Sequence, residues 1–286
     1  MTADPFRPDP RLFPFESRWF ESPVGKVHYL DEGEGPPILF LHGNPTWSFL
    51  YRGIIIRLKD RFRCVAPDYP GFGLSEHPLD YRYTPAEHAQ VMKALVEELD
   101  LKNLTIMGQD WGGPIGMWVA KEMVSRMRAL VMGNTWYWPT EALHLRAFSW
   151  ILSTGYVQRL ILRKNFFVEK LMRIGVKHAL PDEVLSQYRG PFPDVDSRAG
   201  IAEFPRQLSL SANWLAELQA GVRSTLGHLP LLLTWGIDDL AYTPAFMDTF
   251  RLDFPKSRVV RLDAKHFIQE DVPGDVSKAI REFLTE

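Results

Sequence analysis

Leu104-Thr-Ile-Met-Gly-Gln-Asp-Trp-Gly-Gly-Pro114 reads as an apolar strand that runs into Gly108-Gln109-Asp110-Trp111-Gly112 and leaves as a helix. Small residues two before and two after a central residue are what a sharp strand-to-helix turn requires. Such a turn strains the central residue and thrusts its side chain out at the helix N-terminus, where an anion is favoured. The central residue is Asp110. A Ser oxygen attacking a saturated carbon would leave an ether that water does not readily cleave. A carboxylate attacking the same carbon leaves an ester, and water can then attack the Asp110 carbonyl and restore the enzyme. The pattern therefore points to displacement at carbon followed by ester hydrolysis, while an Asp at this place also serves commonly as a helix N-cap.

Working outward, short aliphatic runs alternate with amphipathic stretches. Strands are expected at Lys26–Asp31, Ile38–Leu41, Arg63–Pro67, Leu104–Met107, Ala129–Asn134, Leu229–Trp235 and Arg258–Leu262, with an edge strand near Trp19. Helices are expected at Phe49–Leu58, Pro85–Leu99, Gly113–Val124, Pro244–Phe254 and Val272–Leu284, the second with Thr84 as N-cap and Pro85 in its first turn. Near-continuous apolar strands separated by helices predict an α/β protein with a mostly parallel sheet covered on both faces. The alternation breaks after Asn134. From about Trp136 to Trp214 the chain reads as a helical insertion, rich in aromatic residues such as Trp136, Tyr137, Trp138, Phe148, Trp150, Phe166 and Phe167. Some of these are expected to hold the insertion down and others to roof a pocket.

Composition narrows the function classes. Of 286 residues, 45% are hydrophobic and 24% charged, which is ordinary for a globular chain. Lys+Arg of 33 against Asp+Glu of 35 gives a net charge of -2, which disfavours a nucleic-acid partner. The one cysteine, Cys64, excludes an internal disulfide or a thiolate-rich metal site and fits a core position. Met1–Arg11 lacks the apolar core of a signal peptide, and the apolar run Leu229–Trp235 is broken by Pro230 and too short for a bilayer. A soluble, cytoplasmic protein with no membrane partner is expected.

The remaining machinery follows from position. Ile38-Leu-Phe-Leu-His-Gly-Asn-Pro45 is a strand entering a turn that faces Asp110 in this architecture. The backbone N–H groups of Asn44 and Trp111 are placed to form an oxyanion hole, with His42 read as a structural turn residue. Asp263-Ala-Lys-His266-Phe-Ile-Gln-Glu270 lies between the last strand and the last helix, where His266 would serve as general base. Of the other histidines, His28, His77, His88, His144, His178 and His228 fit surface or packing positions. Thr234-Trp-Gly-Ile-Asp-Asp-Leu240 supplies an acid to orient His266; Asp239 takes the usual place and Asp238 competes. Asp68, in Pro67-Asp68-Tyr69-Pro-Gly-Phe-Gly-Leu-Ser75, reads as structural.

With these motifs in place, the chain resembles a haloalkane dehalogenase of the α/β-hydrolase superfamily. The resemblance rests on His-Gly-Asn-Pro at 42–45, Gln-Asp-Trp-Gly-Gly at 109–113, Tyr188-Arg-Gly-Pro-Phe-Pro193, Phe204-Pro-Arg206, Trp-Gly-Ile-Asp-Asp at 235–239 and His-Phe-Ile-Gln-Glu at 266–270. It implies an eight-stranded α/β-hydrolase sheet, a main unit of residues 1–135 and 215–286, and a helical cap of residues 136–214 after the sixth strand. It implies Asp110 as nucleophile, His266 as base, Asp239 as acid, and a halide held by side-chain N–H groups of Asn44 and Trp111. It also implies a small apolar halogenated substrate and neither a metal nor an organic cofactor. Two other readings stand beside it. An epoxide hydrolase would share the Asp chemistry and need a tyrosine such as Tyr137, Tyr156 or Tyr188 to protonate the opening oxygen; a ligand-binding member of the fold would not use the Asp, His and Asp as a set.

Overall fold

The computed structural model describes residues 6–78 and 80–285. Residues 1–5, 79 and 286, and with them the start of the Met1–Arg11 segment and the outer ends of the main unit, lie outside the described residues. One eight-stranded sheet organises the chain: β1 (Arg18–Ser22), β2 (Gly25–Glu32), β3 (Pro37–Leu41), β4 (Arg63–Pro67), β5 (Leu104–Asp110), β6 (Met127–Thr135), β7 (Leu231–Gly236) and β8 (Arg258–Leu262). Their spatial order is β1-β2-β4-β3-β5-β6-β7-β8. The β1–β2 and β2–β4 pairs are antiparallel and all later pairs are parallel.

Every residue of β5 and β7 is buried, as a parallel strand covered on both faces must be. The covering helices include α1 (Arg52–Leu58), α2 (Pro85–Glu98) and α3 (Gly112–Glu122). Thr84 and Glu87 close a reciprocal capping box on α2, which satisfies two N–H groups that the first turn leaves unpaired. Cys64 sits in the core on β4, where burial pushes its thiol up to about 12.

Three of the differences between expected and observed elements have a plain local reason. The helix expected from Phe49 begins as a tight 3-10 turn over Ser48–Tyr51, because the buried carboxylate of Asp68 takes the Ser48 N–H at 2.7 Å, and α1 follows from Arg52. Strand β7 begins at Leu231 rather than Leu229: Pro230 has no N–H for a ladder, and the Leu229 N–H turns back to Leu226. Strand β5 runs past Met107 to Asp110, which still pairs with Thr135 after a register shift between Gln109 and Asp110.

Between β6 and β7 the described residues hold helices and no strand: α4 (Leu143–Ser153), α5 (Gly155–Lys164), a π-helical turn Phe167–Leu171 leading into α6 (Met172–Ile174), α7 (Asp182–Arg189), α8 (Ala199–Leu210) and α9 (Ala212–Thr225). The position 214 boundary read from the sequence falls within α9, which packs on α3. After β7 come α10 (Ala245–Asp253), then, past β8, a short α11 (Ile268–Asp271) and α12 (Pro273–Thr285), which lies on α1. A partly buried ion pair of Arg52 and Glu270, joined by the Tyr188 hydroxyl, ties α1, α11 and α7 together. Among the described residues no helix is long and apolar enough to cross a membrane.

Candidate active site

The loops that follow β3, β5, β6, β7 and β8 all open at the carboxyl ends of the strands, where ligands bind in sheets of this kind. They converge on Asp110. This residue has φ of +52°, a left-handed conformation that costs a side-chain-bearing residue about 1–2 kcal/mol. The turn closes only because its neighbours are small: a Cβ on Gly112 would overlap the Leu41 carbonyl, and one on Gly43 would overlap Asp110 itself. The Asp110 carboxylate does not cap α3, whose N-cap is Trp111 and has no side-chain cap.

Its two oxygens have different partners. Oδ1 accepts the Asn44 backbone N–H at 2.8 Å. Oδ2 accepts the Tyr242 hydroxyl at 3.2 Å and lies 3.9 Å from His266 Nε2. Burial pushes the Asp110 carboxyl above its usual range, against the opposing pull of His266, the N–H groups of Asn44 and Trp111, and Tyr242. The Thr135 hydroxyl donates to the Asp110 carbonyl and pins the turn from β6.

His266 and Asp239 form a close pair, Nδ1 to Oδ2 at 2.9 Å. Burial alone would lower the imidazole pKa, but the carboxylates of Asp239 and Asp110 outweigh it and leave His266 raised above its usual value. Asp239 shows the converse. Burial would raise it, yet the charge and hydrogen bond of His266 outweigh that and leave it lowered. Asp239 is held by the Ala241 N–H at 2.7 Å and by Asn134 Nδ2 at 2.9 Å. Asn134 also accepts the Gly236 N–H and donates to the Gly236 carbonyl, so it staples β6 to the end of β7. Asp238 points elsewhere: its side chain is 47% exposed and pairs with Lys177 at 3.1 Å, against 2% for Asp239. On the other ring nitrogen, the Gln109 amide donates to His266 Nε2 at 2.8 Å and to the His266 carbonyl at 3.2 Å. The Asp239 carboxylate at Nδ1 and the Gln109 amide at Nε2 together suit an imidazole that carries its proton on Nδ1.

Above these groups lies a cavity of about 380 Å³. Asn44, Asp110, Trp111, Tyr242 and His266 line its floor. Leu145, Phe148, Phe167, Met172, Pro205 and Leu208 line its roof from the helical insertion. The Asn44 amide gives one N–H to the Ile201 carbonyl at 3.2 Å and has a second to offer, and Trp111 Nε1 has no acceptor among the described residues. The aromatics of the insertion divide as expected: Phe148 and Phe167 roof the cavity, Trp136, Tyr137 and Trp138 pack into the core, and Trp150 is exposed.

The remaining candidates lie apart. Tyr137 donates to Asp253 and Tyr188 to Glu270, Tyr156 is exposed, and none of the three lines the cavity. The tyrosines on which the epoxide reading depends are therefore away from the floor. His42 is buried against Tyr69 and pulled down to about 4 by that burial. Asp68 accepts from His28 and from the N–H groups of Ser48 and Leu74, a closed structural network. His144 reaches the cavity rim but is tied to the Ala241 carbonyl at 2.9 Å. Tyr242, Gln109 and the Asn134 staple escape sequence reading. Nothing in the spacing of Tyr242 distinguishes it from a packing aromatic three residues after Asp239, and Gln109 looks like filler in the turn. Among the described residues no group of three or more His, Cys, Asp or Glu side chains is gathered to hold a metal ion.

Comparison with known proteins agrees with this fold. The family described as alpha/beta hydrolase fold matches residues 36–273. "Haloalkane dehalogenase 2" of Mycobacterium tuberculosis is 52% identical over 284 residues, 99% of each chain. "Cis-3-alkyl-4-alkyloxetan-2-one decarboxylase" of Shewanella oneidensis is 32% identical, over 96% of this chain and 90% of that one. The crystal structure of the haloalkane dehalogenase DatA from Agrobacterium tumefaciens superimposes with a TM-score of 0.85 at 27% identity, covering 97% of this chain and 99% of that one. With its sheet, its Asp turn and its full-length likeness to these proteins, the chain belongs to the haloalkane dehalogenase family of the alpha/beta hydrolase fold.

Proposed function

We propose that the protein hydrolyses the carbon–halogen bond of small apolar haloalkanes to an alcohol, a halide and a proton, through a covalent ester on Asp110. The observation that carries this reading is the placement of a strained, buried carboxylate at the floor of an apolar cavity, with its Oδ2 3.9 Å from a histidine that a second Asp orients. Oδ2 attacks the halogen-bearing carbon and the halide departs with the bonding electrons toward Asn44 Nδ2 and Trp111 Nε1. A leaving halide is a diffuse anion, and neutral donors in a water-poor pocket stabilise it without retaining it as a fixed cation would. His266 Nε2, released from the Gln109 amide, then takes a proton from water, which attacks Asp110 Cγ. The charge that develops on Oδ1 falls on the backbone N–H groups of Asn44 and Trp111 at the α3 N-terminus. Residues 136–214 serve as the cap over this chemistry, and the protein acts in the cytoplasm without a metal or organic cofactor.

Asn44→Ala and Trp111→Phe each remove one donor to the departing halide. Each is expected to slow halide release by about 10²–10³-fold, as loss of an oxyanion-hole donor does, a larger effect than the stability each loses with its packing on Phe204 and Trp136 or its bond to Ile201. Stopped-flow halide release and halide quenching of tryptophan fluorescence measure both effects; unchanged release and quenching in both variants would place the halide elsewhere.

The acid is tested by comparison. Asp239→Asn loses the carboxylate that fixes the Nδ1–H tautomer and stabilises the imidazolium, so its turnover is expected to drop by about 10⁴-fold, as in other triads. Asp238→Asn, whose parent pairs with Lys177 at the surface, is expected to stay within a few-fold of the parent. Steady-state turnover of the two variants decides between them, and the reverse ranking would transfer the role to Asp238.

A further inference from the structure

Among the described residues that line the cavity Tyr242 is the only one bearing a hydroxyl, and its Oη meets Asp110 Oδ2, the oxygen assigned above to attack carbon. That oxygen has a second role. Once alkylated it is the ester oxygen, and when water attacks Cγ it is the atom that must leave, carrying the alkyl group away as an alcohol. A departing alkoxide is strongly basic and needs a proton as the Cγ–Oδ2 bond breaks. We propose that Tyr242 is a catalytic residue that supplies this proton, acting on the second step of the reaction. The inference rests on the reading of Asp110 as the alkylated nucleophile.

Three features of the structure support it. Tyr242 Oη lies 3.2 Å from Oδ2, closer than His266 Nε2 at 3.9 Å. His266 Nε2 must face the incoming water, so a separate donor on the leaving oxygen frees it from serving two atoms at once. The phenol is also held in place. Its ring stacks on Trp136 with centroids 4.9 Å apart and planes 14° from parallel, and its backbone carbonyl accepts the Trp235 indole N–H at 2.8 Å. Burial, with Asp110 and Asp239 nearby, pushes the phenol well above its usual pKa, so it holds its proton throughout the neutral range until the leaving alkoxide develops.

The step balances. Water gives one proton to His266 Nε2 and its oxygen bonds to Asp110 Cγ, sending the C=O pair onto Oδ1. As that pair returns, the Cγ–Oδ2 bond breaks and its electrons go to Oδ2, which takes the Tyr242 proton and leaves as the alcohol. The phenolate recovers a proton from the His266 imidazolium, whose ring centroid is 5.6 Å from that of Tyr242. Asp110, now carrying the water oxygen, ionises and releases the proton that accompanies the halide.

Tyr242→Phe removes the donor and keeps the ring. With bromoethane, it is expected to release one equivalent of bromide in a burst at close to the parent rate, then turn over about 10²–10⁴-fold more slowly, with the ethyl ester visible on intact-protein mass. With bromofluoroethane, whose alcohol is more acidic and needs less assistance, the loss is expected to shrink at least tenfold. An equal loss with both substrates, turnover at the parent rate, or a lost burst would each overturn the role; the last would make Tyr242 a positioner of the nucleophile. A parallel His266→Phe sample keeps the two ideas separate: an ester there, with none of the Tyr242→Phe effects, sinks the inference alone, whereas no ester in either sinks the Asp110 reading with it. The parent protein supplies a check that does not depend on folding of a variant. With acid assistance, its ester-hydrolysis rate should differ little between the two substrates, and a tenfold or greater advantage for bromofluoroethane would contradict the proposal.

Discussion

Asp110→Ala is expected to give a folded protein that releases no halide from a bromoalkane. Every bond change in the proposed reaction passes through this carboxylate, so its loss leaves only direct attack by water. The fall in turnover is expected to reach about 10⁶-fold, the scale seen when a hydrolase loses its nucleophile. Stability should move the other way or not at all. The carboxylate is buried against desolvation that pushes its pKa up, and its partners are functional groups rather than a closed ion pair. Deleting it removes a charge from an apolar cavity, although Ala keeps the strained backbone. Halide release and a thermal melt on the same sample test both halves, and a folded Asp110→Ala variant with substantial turnover would remove Asp110 from the mechanism.

His266→Phe is expected to stop the enzyme halfway. Displacement needs an ionised Asp110 and the Asn44 and Trp111 donors, all of which remain. Ester hydrolysis needs a base for water, and removing a general base costs about 10²–10⁴-fold or more. One equivalent of halide should appear in a burst, after which the protein retains the alkyl group at Asp110 as a mass increase that peptide mapping can locate. The same division sets the pH dependence of the parent. Asp239 and Asp110 raise the His266 pKa above its usual value of 6.5, and the protonated imidazole cannot accept a proton from water. Steady-state turnover should therefore fall as the pH drops through that raised pKa, while a single burst of halide persists to lower pH. In the alkylated enzyme the Asp110 charge is gone, so the limb seen in kcat lies below the one seen for free enzyme.

Much of this was legible in the residues because steric and topological rules leave few alternatives. Only small residues at 108, 112 and 43 let a strand turn so sharply under a facing loop, so the Asp turn could be read from its glycines. Their places after β7 and β8 made Asp239 and His266 readable by position, since the carboxyl ends of parallel strands gather at one edge of the sheet. The helical insertion showed itself as lost strand alternation. Its inner surface did not, because whether Phe148 roofs a cavity or Trp150 meets solvent depends on the helix face each presents after folding. Tyr242, Gln109 and Asn134 were hidden for a related reason. Each acts through hydrogen bonds made across the sheet ends, to Asp110, His266 and Asp239 respectively, and such long-range contacts leave no periodicity in the chain.

The central claim is that Asp110 itself becomes bonded to the alkyl group, and the fate of its oxygen tests that most directly. A single turnover of the parent protein, with enzyme in excess over a bromoalkane, is run in heavy-oxygen water and the alcohol is analysed by mass spectrometry. The account predicts that this first alcohol carries light oxygen, because it leaves with Oδ2 of Asp110, and that the heavy atom is found in the Asp110 carboxylate. Heavy oxygen in the first alcohol, with none in Asp110, would mean that water attacks carbon directly and would contradict the account.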